Sequence, residues 1–192
     1  MIDTPRRSAA RVAAAFGILA AQCLALGALG AGPAHAAVQY YEIRSADGKC
    51  VGVAGSSQRS GANVVLWDCL GITDQRWRVT TIADTPVGKL EDRPAGQQDT
   101  DHVLFVRLRA QHSDKCLALA GDNFEPGSDI VQADCSDENL LTDWEMTGHG
   151  DRFEISDQHC VGVAGGTHRN GTPVVYQTCT DNSPKWLFKP WE

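Results

Sequence analysis

The sequence lacks any surplus of basic charge: 17 Lys and Arg stand against 24 Asp and Glu in 192 residues, a formal net charge of −7. Nucleic acid and anionic lipid both need a positive footprint, so neither is expected as a partner. No G-x-S-x-G elbow, H-E-x-x-H helix or phosphate-cradling glycine loop occurs, and the catalytic readings those motifs carry fall with them. C-x-x-C knuckles are missing and no histidine recurs at ligand spacing, so neither a zinc site nor any other metal or cofactor is expected. The scattered Asp and Glu sit mostly in apparent turns, and the chain is read as not an enzyme. Helical periodicity is absent beyond the N-terminal region, which excludes a bundle.

The one long apolar run, Val12 to Leu29, follows Arg6, Arg7 and Arg11 and leads into Ala34-His35-Ala36. A positive n-region, an h-region and an A-x-A site predict a secretory signal peptide over residues 1–36. A membrane anchor is the weaker reading, because the 18-residue run contains Gly17, Gln22 and Gly27 and is barely long enough to span. Removing the signal leaves residues 37–192, with 14 basic against 23 acidic residues. That length suits one domain with a proper core. A secreted, extracellular protein with no membrane contact after signal removal is expected.

What is present is one stretch written three times. Cys50 to Trp77 reads CVGVAGSSQRSGANVVLWDCLGITDQRW, Cys116 to Trp144 reads CLALAGDNFEPGSDIVQADCSDENLLTDW, and Cys160 to Trp186 reads CVGVAGGTHRNGTPVVYQTCTDNSPKW. In each copy the two cysteines lie 19 positions apart, Ala-Gly fills the fifth and sixth places and Gly the twelfth. Such regularity indicates repeat architecture. Six cysteines remain after signal removal, and disulfides are the default in an exported chain. Of the 15 pairings that six cysteines allow, the repeat selects Cys50–Cys69, Cys116–Cys135 and Cys160–Cys179. Each closes a loop of about 20 residues and should contribute roughly 3 kcal/mol through chain entropy.

Alternation at Tyr41 and Ile43, Val106 and Leu108, and Phe153 and Ile155 marks a first strand in each repeat. A second strand begins at the first cysteine, and a third is expected to end at the second cysteine. Ser60-Gly61, Pro126-Gly127 and Asn170-Gly171 supply the turns between them. A fourth strand carries Trp77, Trp144 or Trp186, giving about twelve strands in repeats at about 40–81, 103–148 and 151–190. The polar stretch 83–101 is expected to be a surface loop. Asn170-Gly171-Thr172 also matches a glycosylation sequon, although the turn alone explains it.

Because side chains alternate along a strand, Val51, Val53, Val64 and Leu66 are expected in the core. Gly52, Val65 and Trp67 share the disulfide's face. Gly52 then leaves a hollow beside the Trp67 indole, a shape suited to the apolar side of a sugar ring.

The three cysteine pairs, each closed by a terminal Trp, with Leu66-Trp67-Asp68-Cys69 and the full Q-x-W at Gln75-Arg76-Trp77, resemble the ricin B-chain lectins and related carbohydrate-binding modules. The resemblance spans about 45–192 and implies an all-β fold, the β-trefoil: a six-stranded barrel capped by three hairpins, with Trp77, Trp144 and Trp186 in the core. It also implies a sugar site made of Asp, Gln, an aromatic and Asn-Gln. The Asp position holds Gly52, Ala118 and Gly162, and the Gln position holds Val65, Val131 and Val175. The aromatic survives only as Trp67, against Ala133 and Gln177, and the Asn-Gln pair survives best as Asp74-Gln75. Candidate ligand contacts are therefore Trp67, Asp74, Gln75 and Gly52. Asp74 is set either to replace the missing carboxylate or to cap a turn, and Gln75 either to meet the ligand or to bond the backbone.

Two functions follow. One is a carbohydrate-binding protein holding galactose-, arabinose- or xylose-type glycans weakly through repeat one. The alternative is a trefoil that has lost sugar binding and contacts a secreted protein partner as an interaction or inhibitor scaffold.

Overall fold

The structure, a computed structural model, describes residues 38–86, 102–121 and 124–192. The expected signal peptide and residues 87–101 of the expected loop lie outside the described residues.

Each repeat supplies four strands. Repeat one has β1 (Tyr41–Arg44), β2 (Cys50–Val53), β3 (Ala62–Trp67) and β4 (Trp77–Pro86). Repeat two has β5 (His102–Ala110), β6 (Cys116–Leu119), β7 (Ile130–Ala133) and β8 (Trp144–His149). Repeat three has β9 (Arg152–Ser156), β10 (Cys160–Val163), β11 (Val174–Gln177) and β12 (Trp186–Pro190). The first and fourth strands of the repeats pair antiparallel in a closed ring, β1 with β4, β4 with β5, β5 with β8, β8 with β9, β9 with β12 and β12 with β1. Closure leaves these six barrel strands without an open edge. The second and third strands form three hairpins, β2–β3, β6–β7 and β10–β11. The architecture is the all-β trefoil that the resemblance implied.

A ring of backbone hydrogen bonds ties the hairpins together. Gly61 N–H donates to the Gln132 carbonyl, Gly127 N–H to that of Tyr176 and Gly171 N–H to that of Leu66, so each turn docks on the next repeat. All three glycines have positive φ, at 82°, 100° and 84°. A side chain is disfavoured in that backbone conformation, which is why the twelfth place of every copy is Gly.

The core follows the expected parity. Val51, Val53, Val64 and Leu66 pack with Trp77, Trp144 and Trp186 in one cluster, and each of those indoles is 0% exposed. A buried indole N–H needs an acceptor. Trp77 Nε1 donates to the Val51 carbonyl at 2.9 Å, Trp144 Nε1 to that of Leu117 at 3.0 Å and Trp186 Nε1 to that of Val161 at 3.0 Å. The same bond therefore pins each fourth strand to the hairpin of its own repeat.

The three expected disulfides, Cys50–Cys69, Cys116–Cys135 and Cys160–Cys179, are all formed. Two local expectations are corrected. The third strands end at Trp67, Ala133 and Gln177, two residues short of the second cysteine, because those residues pair with the first cysteines. Ala83–Pro86 is not loop: it continues β4, with Ala83 paired to Phe105 and Pro86 to His102 past an irregularity between Thr81 and Ala83. Ladder pairing there outweighs the polar composition that suggested a turn.

Charged clasps repeat on the outside. Lys49 and Asn170 bind the Asp68 carboxyl, while Lys115 and Ser60 bind that of Asp134. The Asn170 amide first, and then Lys49, hold the Asp68 carboxyl below its usual value; Lys115 and then Ser60 do the same for Asp134.

Replacing any one core tryptophan, Trp77, Trp144 or Trp186, with Ala should destabilise the domain by about 3–5 kcal/mol, comparably in all three repeats. Denaturant unfolding monitored by far-UV circular dichroism reads this directly. Because the two clasp carboxyls titrate below their ordinary value of 3.8, they stabilise the fold above that pH and lose the contribution as pH falls through the folded values. Melting temperatures between about pH 5 and pH 3 should therefore fall less steeply in D68N/D134N than in the unmodified protein. An equal slope would remove the clasps from the stability account.

Candidate functional site

Gly52 lies opposite Val65, and Cys50 lies opposite Trp67. The outward face of the first hairpin thus carries the residues that parity assigned to it. Trp67 is 43% exposed, and a cleft of about 340 Å³ opens beside it. Val53, Val65, Leu70 and Ile72 give the cleft its apolar walls, and Ser56 and Asp74 give it polar groups. Gly171 of repeat three closes one side, where a Cβ on that glycine would stand 3.6 Å from the Trp67 ring.

Asp74 occupies a one-turn 3-10 helix, Thr73–Gln75, directly before Trp77. It is only 7% exposed, and its Oδ2 accepts a hydrogen bond from Ser56 Oγ at 2.8 Å. Its Oδ1 is buried with no partner among the described residues. The turn-capping role is not the one observed, since no side-chain bond caps this turn. A buried acceptor left unpaired costs about 1–3 kcal/mol, and such groups call for an explanation.

Ser56 reinforces the point. Its φ is 50°, in the left-handed region, whereas repeat three has Gly166 at the matching place with φ of 61°. A serine there costs roughly 1–2 kcal/mol that glycine avoids. The hydroxyl bond to Asp74 is the compensation.

Gln75 lies at the base of the cleft with its amide already bonded. It is 2% exposed, its Oε1 accepts from Leu70 N–H at 2.8 Å and its Nε2 donates to the Asp68 carbonyl at 2.8 Å. Of its two expected roles, backbone bonding is the observed one. The hollow over Gly52 is likewise taken up. A Cβ on Gly52 would lie 2.9 Å from Gln75 Cγ, because the missing side chain lets Gln75 pack down onto the hairpin. The open space lies instead between Ser56, Val65, Trp67 and Ile72.

Among the described residues, the matching positions of the other two repeats are filled. In repeat two, Ala118, Val131 and Ala133 are buried together and packed by Ala120 and Leu140. In repeat three, Gln177 lies flat on Gly162, so close that a Cβ there would sit 2.1 Å from its Cδ. Sequence reading named Gln177 as the departure from an aromatic but did not show that it fills the position. It also missed Ser56, Leu70 and Ile72. The non-glycine residue at a place where repeat three has a second glycine was the signal for Ser56.

Two clusters of metal-ligating residue types occur among the described residues, Glu42 with Cys50 and Cys69, and Glu154 with Cys160 and Cys179. In both, the sulfurs are bonded to each other, so the thiolates a metal needs are not available.

A family model described as ricin-type beta-trefoil lectin domain-like matches residues 32–133, and one described as ricin-type beta-trefoil lectin domain matches residues 104–191. Among solved structures, the designed 3-fold symmetric protein ThreeFoil is similar at a TM-score of 0.62 and 20% identity, covering 78% of this chain and 97% of that one. The Rhizoctonia solani agglutinin is similar at 0.59 and 17%, covering 83% and 100%. The Macrolepiota procera ricin B-like lectin, solved with lactose, is similar at 0.56 and 15%, covering 80% and 96%. At these identities the likeness establishes the fold. No curated protein matches the chain significantly.

Ser56→Gly should lower stability by about 0.5–2 kcal/mol, the lost bond to Asp74 exceeding the relieved backbone strain. Ser56→Ala, which loses the bond and keeps the strain, should be less stable than the glycine variant by about 1 kcal/mol. Thermal unfolding checks both. A glycine variant more stable than the unmodified protein would show that the Ser56–Asp74 bond is worth less than the backbone strain at Ser56.

Proposed function

This chain belongs to the ricin-type beta-trefoil lectin family, and from that premise we propose that it is a secreted carbohydrate-binding protein whose first repeat alone holds a sugar. The observation that carries the reading is the asymmetry among the repeats. One outward face has an exposed indole beside a cleft with an unpaired buried carboxyl oxygen, while the matching faces are filled by Leu140 or Gln177.

A pyranose stacked on Trp67 places its apolar face against the ring. A hydroxyl on its edge donates to the Asp74 carboxyl, a turn of that side chain bringing the buried Oδ1 to the cleft and satisfying the orphaned acceptor. Galactose-, arabinose- and xylose-type residues are the proposed ligands, in line with the lactose bound by the Macrolepiota procera lectin. The affinity is weak, because the family's carboxylate and amide positions hold Gly52 and Val65 and each missing charged bond is worth about 1.5–3 kcal/mol. Export is supported by three disulfides, which persist in oxidising compartments. The protein is proposed to act by binding, without catalysis. The second reading, contact with a secreted protein partner, draws on Leu70 and Ile72, which are 57% and 41% exposed beside the same cleft.

A glycan array probed with the purified protein and with Trp67→Ala decides between the two. Binding to galactosides or xylan, reduced at least about tenfold by the substitution, supports the sugar reading. A blank array for the unmodified protein overturns it in favour of the scaffold.

A further inference from the structure

The first-repeat cleft holds one charged side chain and nothing to balance it. Val53, Val65, Leu70 and Ile72 wall it with hydrocarbon, Trp67 offers an exposed indole, and Asp74 is its single ionisable lining residue. No Lys, Arg or His lines the cleft. The Asp74 side chain accepts one bond, from Ser56 Oγ, while its buried Oδ1 has no partner among the described residues. Buried carboxylates are ordinarily matched by a cation or by several donors, because a single hydroxyl does not replace the water they lose.

The neighbouring cations among the described residues are committed elsewhere. Lys49 Nζ lies 2.5 Å from Asp68 Oδ1 and 2.9 Å from Asn170 Oδ1 in the outer clasp. The Arg76 guanidinium donates to the Gly71 carbonyl and lies 3.6 Å over the Trp191 ring. Trp191 in turn packs against Gly71, where a Cβ would stand 2.9 Å from its Cη2. Neither Gly71 nor Trp191 belongs to the cleft lining, so Arg76 is held outside it. His112 Nε2 stands 2.9 Å from the carbonyl of Ser57, the residue after Ser56. The balancing charge is therefore left for a ligand to bring. One carboxyl and one hydroxyl are too few oxygens for a hard metal ion, and hydrocarbon walls suit an organic cation. A protonated primary amine meets both conditions: its N–H groups donate to the carboxyl, and its charge is attracted to the face of an indole.

We infer that the cleft selects pyranoses bearing a free, protonated amine, the 2-amino-2-deoxy sugars of a deacetylated glycan, over both their hydroxyl and their N-acetyl counterparts. The inference rests on the carbohydrate-binding reading above. The ring stacks on Trp67, and the ammonium takes the place at Asp74 that a hydroxyl otherwise fills, so that both partners of the bond are charged. Acetylation removes the ligand's charge and with it the advantage.

Titration calorimetry on the purified protein at about pH 7 with D-galactosamine, D-galactose and N-acetyl-D-galactosamine tests this. Galactosamine should bind about tenfold more tightly than either neutral sugar. An amine beside sugar oxygens loses its proton in roughly the range of an α-amino group, about pH 7.7–8.0, so the preference should fall toward one by about pH 9.5. In Asp74→Asn, which keeps an acceptor and removes the charge, the ratio at about pH 7 should likewise fall to near one. Equal or tighter binding of galactose or N-acetylgalactosamine, lost in Trp67→Ala, overturns the inference and leaves the sugar site standing. A galactosamine preference that persists at high pH, or in Asp74→Asn, also overturns it. Failure of all three sugars to bind overturns both readings.

Discussion

Three buried indole N–H groups set the geometry on which everything else rests. An indole in an apolar core without an acceptor would forfeit a hydrogen bond, so each terminal tryptophan reaches the carbonyl of the residue after its own first cysteine: Val51, Leu117 or Val161. That bond fixes which way the hairpin faces. Val51 and Val53 go inward, and the cysteine and its neighbour two places on go outward. The disulfide then closes on the outer side, joining a strand residue to the loop that leads back to the tryptophan.

Once the scaffold is determined three times over, the differences between repeats lie on the outward face. The turn glycines close the cap by the same bond at each junction, so the three hairpin junctions share one backbone plan. Side chains decide the rest. Leu140 over an alanine-lined face and Gln177 over Gly162 fill two positions, while Trp67 is exposed on its hairpin, with Gly171 of the neighbouring repeat against its ring. The open cleft is thus built by two repeats, and the strained Ser56 with its tie to Asp74 equips it with a polar floor.

Much of the fold was legible because periodicity in the sequence reports periodicity in space. The cysteine spacing gave the disulfides, and the alternation at Val51, Val53, Val64 and Leu66 gave the core face. The twelfth-place glycines marked the turns. What could not be read was how side chains use space that another residue vacates. Gly52 implies a gap, but only the fold reveals that Gln75 descends into it, and Gly162 with Gln177 poses the same problem. Nor does a Leu or Ile in a loop announce that it will stay exposed: Leu70 and Ile72 do so because Gly71 is wedged on Trp191, more than a hundred positions away in sequence. The stretch 83–86 misled for the opposite reason, since its polar composition is overruled by ladder bonds to His102–Phe105.

The central claim, that one of three pseudo-equivalent faces is open to ligand, is tested most directly by amide chemical-shift mapping of the isotopically labelled protein during titration with lactose. The account predicts shifts confined to Gly55 and Ser56, Val65 to Trp67, Leu70 to Asp74 and Gly171, with Ala118 to Leu119, Leu140 and Gly162 unmoved. Shifts centred on Ala118 and Leu140, or on Gly162 and Gln177, would contradict it.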